Sequence, residues 1–322
     1  MLWTCLSALI AVLPPPQAER GEVAFRPTPA EAAVPELFRL PAATFGYDLE
    51  PVRDAGGYSV ARVRFPSPLI TPDPANNTVH GEYFRPKGAG RRPAVVVLHI
   101  LGADFALSRY YAARLADRGV AALFIKLPYY GERRPAGEGK RFLSHDVGRS
   151  TLSMRQGVCD IRRAATWLGS RPEVDPSKVG VTGISLGGIT SALATAVDPG
   201  IGRSAFLLAG GGLDQILWTM DEPGAARWRK EWLGSGRTLA DLSALTTPFD
   251  PLTYADRLVG KKLLMIAGNV DEVVPPSAAR RLWEAAGRPP IRWCDCGHYS
   301  SAGYLLPAIR EAVEFFAEDV PR

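Results

Sequence analysis

The feature that most constrains the fold is a series of short apolar runs, each about the length of one buried strand. The first, AVVVLHI at residues 94–100, is rich in β-branched residues, which is typical of a strand buried on both faces. Stretches with helical spacing, such as SRYYAARLADRG at 108–119, separate the runs. The other runs occupy residues 120–127, 178–183, 204–211, 261–268 and 290–296. Because buried strands alternate with helices, the sequence predicts an α/β fold with a doubly wound, mostly parallel sheet and helices on both faces.

The chain before the first run is predicted to contain an antiparallel pair of strands. YSVARVRF at 58–65 alternates apolar and polar residues, and TVHGEYFRP at 78–86 follows a turn-rich segment. Residues 21–57 are rich in Pro, Ala and Glu with weak periodicity, which predicts an N-terminal extension on the surface with one short helix. The main domain is then expected to span residues 58–322.

The segment at 212–256 interrupts the alternation of strands and helices, because it is longer than an ordinary loop. It contains Trp218, Trp228 and Trp232, and the last two are one helical turn apart. Loops at the carboxyl edge of such sheets usually shape the ligand site. We therefore predict a cap-like insertion whose tryptophans line a partly apolar substrate pocket. The alternative is a helix packed on the rim of the sheet without substrate contact.

The composition excludes several classes of protein. With 46% hydrophobic and 22% charged residues among 322, the chain is neither disordered nor a coiled coil. The 38 Lys and Arg residues outnumber the 33 Asp and Glu residues but lie scattered, so no nucleic-acid partner is expected. Four Cys residues are too few for a disulfide scaffold, and Cys294 and Cys296 lack a second pair at metal-ligand spacing. We expect neither a metal nor an organic cofactor.

The first 20 residues contain an apolar run at 6–13. A membrane-spanning helix needs about 20 apolar residues, so no stable membrane span is expected. The run suits the hydrophobic part of an export signal with cleavage near Gln17 and Ala18, although no basic residue precedes it. The alternative is an apolar N-terminal segment that stays on the chain. The first interpretation predicts an exported or cell-envelope protein, and the second a cytoplasmic one.

The pattern G-x-S-x-G occurs once in a context that favours a nucleophile. In VTGISLGG, Ser185 follows a predicted buried strand and precedes a predicted helix. Glycines two positions before and after it leave room for a sharp turn that exposes the hydroxyl at the carboxyl edge of the sheet. The amide of Leu186 would then point to the site where an oxyanion forms. The alternative is a serine in an ordinary tight turn.

A serine hydroxyl needs a base, and the chain has four histidines. His298 follows the last predicted strand in CGHYS and so reaches the same edge of the sheet as Ser185. His99 lies at the end of another strand and is the rival, but we expect its ring to order the loop near the oxyanion. The other two, His80 and His145, lie on an early strand and in a long loop.

A base of this kind needs a carboxylate to orient it, and Asp271 follows the fifth predicted strand in AGNVDEVVPP. In a tight turn the adjacent Glu272 would point the other way. The alternative for Asp271 is a carboxylate that caps the next helix. The second oxyanion amide should come from the loop after AVVVLH, where we favour Leu101 with Ile100 as the alternative.

From about Pro93 onward, the chain resembles α/β-hydrolases of the dienelactone hydrolase and acetyl xylan esterase-like branch. The resemblance rests on VVVLHILGAD, DIRRAATWLGSRPEVDPSKVGVTGISLGG, DPLTYADRL, GNVDEVVPP and CGHYS. It implies an α/β-hydrolase fold with a Ser-Asp-His triad in that chain order. Three positions depart from the branch. Ser185 stands where dienelactone hydrolases have Cys, Ile100 where many relatives have Gly, and Tyr129 where relatives often have Asp.

These residues together predict a serine hydrolase that cleaves a small-molecule carboxylic ester through an acyl-enzyme. Hydrolysis of a peptide or thioester bond on the same fold is the first alternative, and a non-catalytic binding protein is the second. Arg133 and Arg134 in the long loop are interpreted as solvated charges rather than as contacts to an acidic substrate. The sequence indicates no particular oligomeric state.

Overall fold

The computed structural model describes residues 18–102, 105–137, 139–221 and 223–320, so the predicted N-terminal segment lies outside it up to residue 17. Within these ranges ten strands form one sheet in the order β1-β2-β3-β4-β6-β5-β7-β8-β9-β10. The strands are β1 Glu19–Phe25, β2 Ala43–Asp54, β3 Tyr58–Pro66, β4 Thr78–Pro86, β5 Arg92–Leu98, β6 Ala121–Ile125, β7 Val174–Ile184, β8 Arg203–Leu207, β9 Lys262–Gly268 and β10 Ile291–Cys294. The α-helices are α1 Ala106–Asp117, α2 Val147–Gly169, α3 Leu186–Val197, α4 Leu213–Thr219, α5 Pro223–Gly234, α6 Leu239–Thr246, α7 Pro276–Ala285 and α8 Ala302–Ala317.

Six neighbouring strands of the sheet are parallel to one another, in the spatial order β6-β5-β7-β8-β9-β10. Their β-branched runs are buried on both faces, and Val95, Val96 and Val97 of β5 are fully inaccessible. Helices α1 and α8 pack on one face of the sheet, and α2, α3 and α7 pack on the other. The structure therefore confirms the predicted doubly wound, mostly parallel α/β sheet. Because these strands are parallel, their carboxyl ends lie at one edge, and the loops that follow them meet there.

The N-terminal segment at 21–57 was predicted as a surface extension with one short helix, without strands. It contains short 3-10 helices at Pro29–Ala33 and Glu36–Phe38, but it also contributes β2 and most of β1, which extend the antiparallel part of the sheet beyond β3 and β4. Only Val23 in β1 and Phe45 in β2 are buried, so the alternation that reveals a half-buried strand is almost missing from these two. The division predicted at residue 58 is not a boundary of the sheet.

The segment between β8 and β9 forms α4, α5 and α6, followed by 3-10 helices at Thr247–Phe249 and Pro251–Leu258. It has a small apolar cluster of its own, in which the buried Trp232 and Leu242 pack against Val147 at the start of α2. The segment therefore rests on the amino-terminal end of α2, beside the carboxyl edge of the sheet. None of the helices within the described ranges has the length and apolar character required to cross a membrane.

The interpretation of Arg133 as a solvated charge was also wrong. Its side chain is fully buried, and its guanidinium lies 2.8 Å from a carboxylate oxygen of Asp160 on α2. The same guanidinium donates to the backbone oxygens of Asn76 and Lys126. Because a buried charge must be paired and hydrogen-bonded, Arg133 joins three segments of the chain beneath the loop that follows β6. Arg134 is exposed and donates to the carbonyl of Tyr129.

Candidate active site

Ser185 lies in a sharp turn between the last residue of β7 and the first residue of α3. Its φ of 55° and ψ of −118° place a non-glycine residue in a strained conformation, which its N–H stabilises by donating to Leu207 O at 2.8 Å. A side chain at Gly183 would collide with the backbone of Gly187. A Cβ at Gly187 would lie 2.7 Å from the carbonyl oxygen of His99. Both glycines are required because the backbones approach too closely for any other residue.

The structure brings Ser185, His298 and Asp271 together in one line of hydrogen bonds. Ser185 Oγ lies 2.8 Å from His298 Nε2, and His298 Nδ1 lies 2.9 Å from Asp271 Oδ2 and 3.1 Å from Oδ1. If the ionised carboxylate accepts from Nδ1–H, Nε2 has no proton and accepts from the serine hydroxyl. This is the tautomer that a general base for Ser185 requires.

Asp271 is held from its other side by the backbone. Asp271 as a whole is 4% exposed, and its Oδ1 accepts from the amides of Val273 at 2.9 Å and Val274 at 2.7 Å. These amides lie at the turn between β9 and α7, so the carboxylate is anchored while Oδ2 faces the imidazole. Glu272 points elsewhere, and its carboxylate accepts from the amide of His298 at 2.8 Å.

His99, the rival base, is fully buried and has both ring nitrogens bound to the backbone. Nε2 accepts from Leu127 N at 3.0 Å, which leaves the proton on Nδ1 to donate to Ile100 O at 2.6 Å. Burial lowers the pKa of His99 to about 4, so the ring is neutral near pH 7. Its contacts fix the loop after β5 to the loop after β6, and Ser185 is not among its partners.

The two predicted oxyanion residues border the same cavity as Ser185, namely Leu186 and Leu101. The amide of Leu186 belongs to the first residue of α3, where N–H groups have no partner within the helix. The carbonyl of Leu101 accepts from the hydroxyl of Tyr130 at 2.5 Å, which holds this turn in place. Ile100, the alternative, packs its side chain against the apolar core on the α1 and α8 face.

The cavity beside Ser185 has a volume of about 120 Å³ and mainly apolar walls. One wall is the first two turns of α2, and the facing wall comes from α4 and the segment after α6. Its apolar lining comprises Leu101, Leu143, Val147, Met154, Leu186, Ile189, Leu213, Ile216, Leu217, Met220, Phe249, Val273 and Val274. The sequence did not single out the α2 or α4 residues, because their apolar spacing resembles that of any helix packed on a core.

The three predicted tryptophans are absent from this lining. Trp228 and Trp232 stack with ring centroids 5.4 Å apart, and Trp218 packs at the edge of their cluster. The indole of Trp232 donates to Thr238 O at 2.9 Å, and that of Trp228 donates to His145 O at 3.3 Å. In place of the predicted contact with substrate, the structure gives these residues a packing role within the insertion.

A larger, open cleft of about 1060 Å³ lies at the opposite edge of the sheet, where the parallel strands begin. Charged side chains line this cleft and form ion pairs, for example between the guanidinium of Arg118 and the carboxylate of Glu314, whose nearest atoms are 2.7 Å apart. Ser185, His298 and Asp271 are all remote from it. Nowhere in the described ranges do three or more His, Cys, Asp or Glu side chains come together in a way that could hold a metal ion.

Comparison with known proteins identifies the superfamily. A family model described as alpha/beta hydrolase domain containing 18 matches residues 50–202, and the prolyl oligopeptidase family model matches residues 136–288. An uncharacterized protein of Mycobacterium tuberculosis is 27% identical over 213 residues, which are 64% of this chain and 50% of the relative. A polyketide transferase of Penicillium crustosum is 33% identical over 138 residues, 42% of this chain and 40% of the transferase. The chain thus spans about half the length of these curated relatives.

Solved structures show the same fold. An acetyl xylan esterase from Paenibacillus sp. R4 superposes with a TM-score of 0.68 at 21% identity, over 83% of this chain and 88% of the esterase. The sheet order and the turn at Ser185 are consistent with the fold that the matched family models indicate. The chain belongs to the α/β-hydrolase superfamily.

Proposed function

We propose that the protein is a serine hydrolase that cleaves carboxylic esters through an acyl-enzyme intermediate. The observation that supports this most directly is the 2.8 Å contact between Ser185 Oγ and His298 Nε2, with Asp271 bound to the other ring nitrogen. A hydroxyl, an imidazole and a carboxylate in this relation form the arrangement that activates a serine as a nucleophile.

In the proposed reaction, His298 Nε2 takes the proton of Ser185 Oγ while the oxygen attacks the ester carbonyl. The carbonyl oxygen becomes an oxyanion and accepts hydrogen bonds from the amides of Leu186 and Leu101. The carbon–oxygen bond to the alcohol then breaks, and the alcohol leaves with the proton from Nε2. Water, deprotonated by the same nitrogen, attacks the acyl-enzyme, and the acid and the free serine are released.

The cavity beside Ser185 supports a short acyl group. About 120 Å³ is somewhat less than the volume of about 150 Å³ of an apolar protein cavity that holds one benzene molecule. Because its walls are aliphatic side chains, an alkyl chain would be favoured there over a polar one. We therefore expect esters of acids from acetic to butyric to be better substrates than esters of longer acids.

Peptide-bond hydrolysis is the second candidate, and the match of the prolyl oligopeptidase family to residues 136–288 favours it. The same three side chains would perform the chemistry, since only the leaving group differs. Acetyl p-nitroanilide and p-nitrophenyl acetate compare the two bonds with the same acyl group. Turnover of the anilide at a rate comparable to that of the ester would favour the peptidase.

The test of the proposal is Ser185→Ala, which is expected to lower the hydrolysis of p-nitrophenyl acetate by at least about 10⁴-fold because the nucleophile is lost. A fluorophosphonate probe should label wild type at Ser185 and leave the variant unlabelled. Ser177→Ala, at an exposed serine near the start of β7 whose hydroxyl donates to Asp175, is the matched control and should behave as wild type.

Two results would contradict the proposal. The first is wild-type turnover by a folded Ser185→Ala variant, since another residue would then be the nucleophile. The second is a folded wild-type protein that neither turns over esters nor reacts with the probe, which would favour a non-catalytic binding protein on this fold.

A further inference from the structure

We propose that Glu272 is a positioning residue, which holds the main chain of the catalytic histidine in place while Asp271 orients its ring. This inference rests on the proposed function, because it assigns to Glu272 the task of keeping His298 within reach of Ser185. It concerns a carboxylate that takes no part in the bond changes.

The contacts of the Glu272 carboxylate are with the backbone of the loop that bears the histidine. Oε2 accepts from the amide of His298 at 2.8 Å, and Oε1 accepts from the amide of Tyr299 at 3.3 Å. The carboxylate also lies against Gly297, where any Cβ would collide with Oε2. Hydrogen bonds to an ionised acceptor are stronger than neutral ones, so this contact fixes the loop more firmly than a hydroxyl would.

Every polar atom of His298 has a partner within the protein. Ser185 binds Nε2, Asp271 binds Nδ1, Glu272 binds the amide, and the carbonyl accepts from Ser301 Oγ at 2.6 Å. The neighbours Asp271 and Glu272 thus hold the same residue at two points, its ring and its peptide. A ring that is fixed at Nδ1 alone can still rotate or shift with its backbone, whereas two anchors define where Nε2 lies.

The backbone of Glu272 has a separate role that side-chain substitutions leave intact. Its carbonyl oxygen accepts at 3.0 Å from the amide of Asp221, which follows α4 in the insertion. Since Glu272 is not part of the cavity lining, changes to its carboxylate should affect the base and not the binding of the acyl group. The expected loss therefore falls on kcat rather than on KM.

The test compares Glu272→Ala, Glu272→Asp and Glu272→Gln with p-nitrophenyl acetate as substrate. Alanine removes both acceptors, and we expect kcat to fall on the order of 10²-fold, the size typical of a displacement of about 1 Å in a reacting group. Aspartate keeps the charge but is one methylene too short, so its kcat should match that of alanine. Glutamine keeps the length and an amide oxygen that can accept from His298 N, so its kcat should stay within about fivefold of wild type.

Two measurements separate this role from general destabilisation. Rates are expressed per site titrated by the fluorophosphonate probe, so that unfolded protein does not lower kcat. The control is Glu173→Gln, at a partly buried carboxylate that accepts from Tyr83 Oη at 2.9 Å far from the cavity. This variant should lose stability and keep the wild-type kcat per titrated site.

Wild-type kcat in Glu272→Ala would overturn the inference, as would wild-type kcat in Glu272→Asp combined with a loss in Glu272→Gln, because charge and not reach would then be the cause. These outcomes leave the proposed esterase intact as long as Ser185→Ala is inactive. An active Ser185→Ala variant would end both proposals.

Discussion

The loops that bring Ser185, Asp271 and His298 together are fixed in a different way from the insertion at 212–256. In the loops, the polar atoms are hydrogen-bonded: Asp271 accepts from two backbone amides, and all four polar atoms of His298 are bound to side chains. The insertion is held mainly by apolar packing around Trp232 and Leu242. Hydrogen bonds define a position to within a few tenths of an ångström, whereas apolar packing mainly defines a volume.

From this contrast we expect the loops and the insertion to have different roles. The chemistry would depend on the loops, where a small displacement breaks a hydrogen bond, and the choice of acyl group would depend on the insertion. The insertion also has a polar anchor of its own, since the buried carboxylate of Asp250 accepts from the amides of Gly212 and Leu213 where the insertion begins. Leu213 itself lines the cavity, so this anchor sets where the apolar wall starts.

The largest effect is expected from Asp271→Asn, which should lower kcat by about 10⁴-fold. The amides of Val273 and Val274 need an oxygen at the Oδ1 position, so the NH₂ group would take the place of Oδ2 and donate to His298 Nδ1. The ring would then have its proton on Nε2 and could not accept one from Ser185. The kcat for p-nitrophenyl acetate measures this loss.

The control for that substitution is Asp256→Asn, at an exposed carboxylate in the last residue of the insertion. It should leave both kcat and the thermal midpoint unchanged. A loss of less than tenfold in a folded Asp271→Asn variant would mean that the carboxylate does not set the tautomer of the base.

The sequence predicted the site well where its geometry follows from chain order. Ser185 and His298 are 113 positions apart, yet each follows a buried parallel strand, and parallel strands end at one edge. The glycines around Ser185 indicated a turn that only they permit. In such cases a local pattern together with the sheet topology defines the position of a side chain.

Other features were missed because their cause lies in distant neighbours. The alternation in β1 and β2 is faint since only one residue in each strand is buried. Arg133 resembles an ordinary loop charge until Asp160 on α2 is seen beneath it. The tryptophans of the insertion were predicted to contact substrate, but large aromatic side chains also suit the core of a small cluster, and composition does not distinguish the two roles.

A smaller effect is expected from enlarging the cavity on its insertion side. Ile216 on α4 is 4% exposed and lines the cavity, so Ile216→Ala should admit a longer acyl chain. Each additional buried methylene is worth about 0.8 kcal/mol, so two should raise the kcat/KM for hexanoate relative to butyrate by about tenfold. The kcat/KM values for p-nitrophenyl acetate, butyrate and hexanoate measure this shift, and acetate hydrolysis should change little.

Leu233→Ala is the matched control, because Leu233 is also in the insertion but 53% exposed on α5. It should leave the preference for acyl length unchanged. If Ile216→Ala leaves the ratio of hexanoate to butyrate as in wild type while remaining folded, the acyl group binds elsewhere and the insertion does not select it.

The smallest effect is expected from Trp228→Phe, which tests whether the tryptophans pack or bind substrate. Phenylalanine keeps a ring to stack on Trp232 but loses the donor to His145 O, at a cost of about 1 kcal/mol in the free energy of unfolding. Because Trp228 is not part of the cavity lining, kcat/KM for acetate and butyrate esters should stay within about twofold of wild type. Urea unfolding and initial rates give the two quantities. A tenfold rise in KM without a loss of stability would place Trp228 at the substrate, and the insertion would then bind more of the ester than its acyl group.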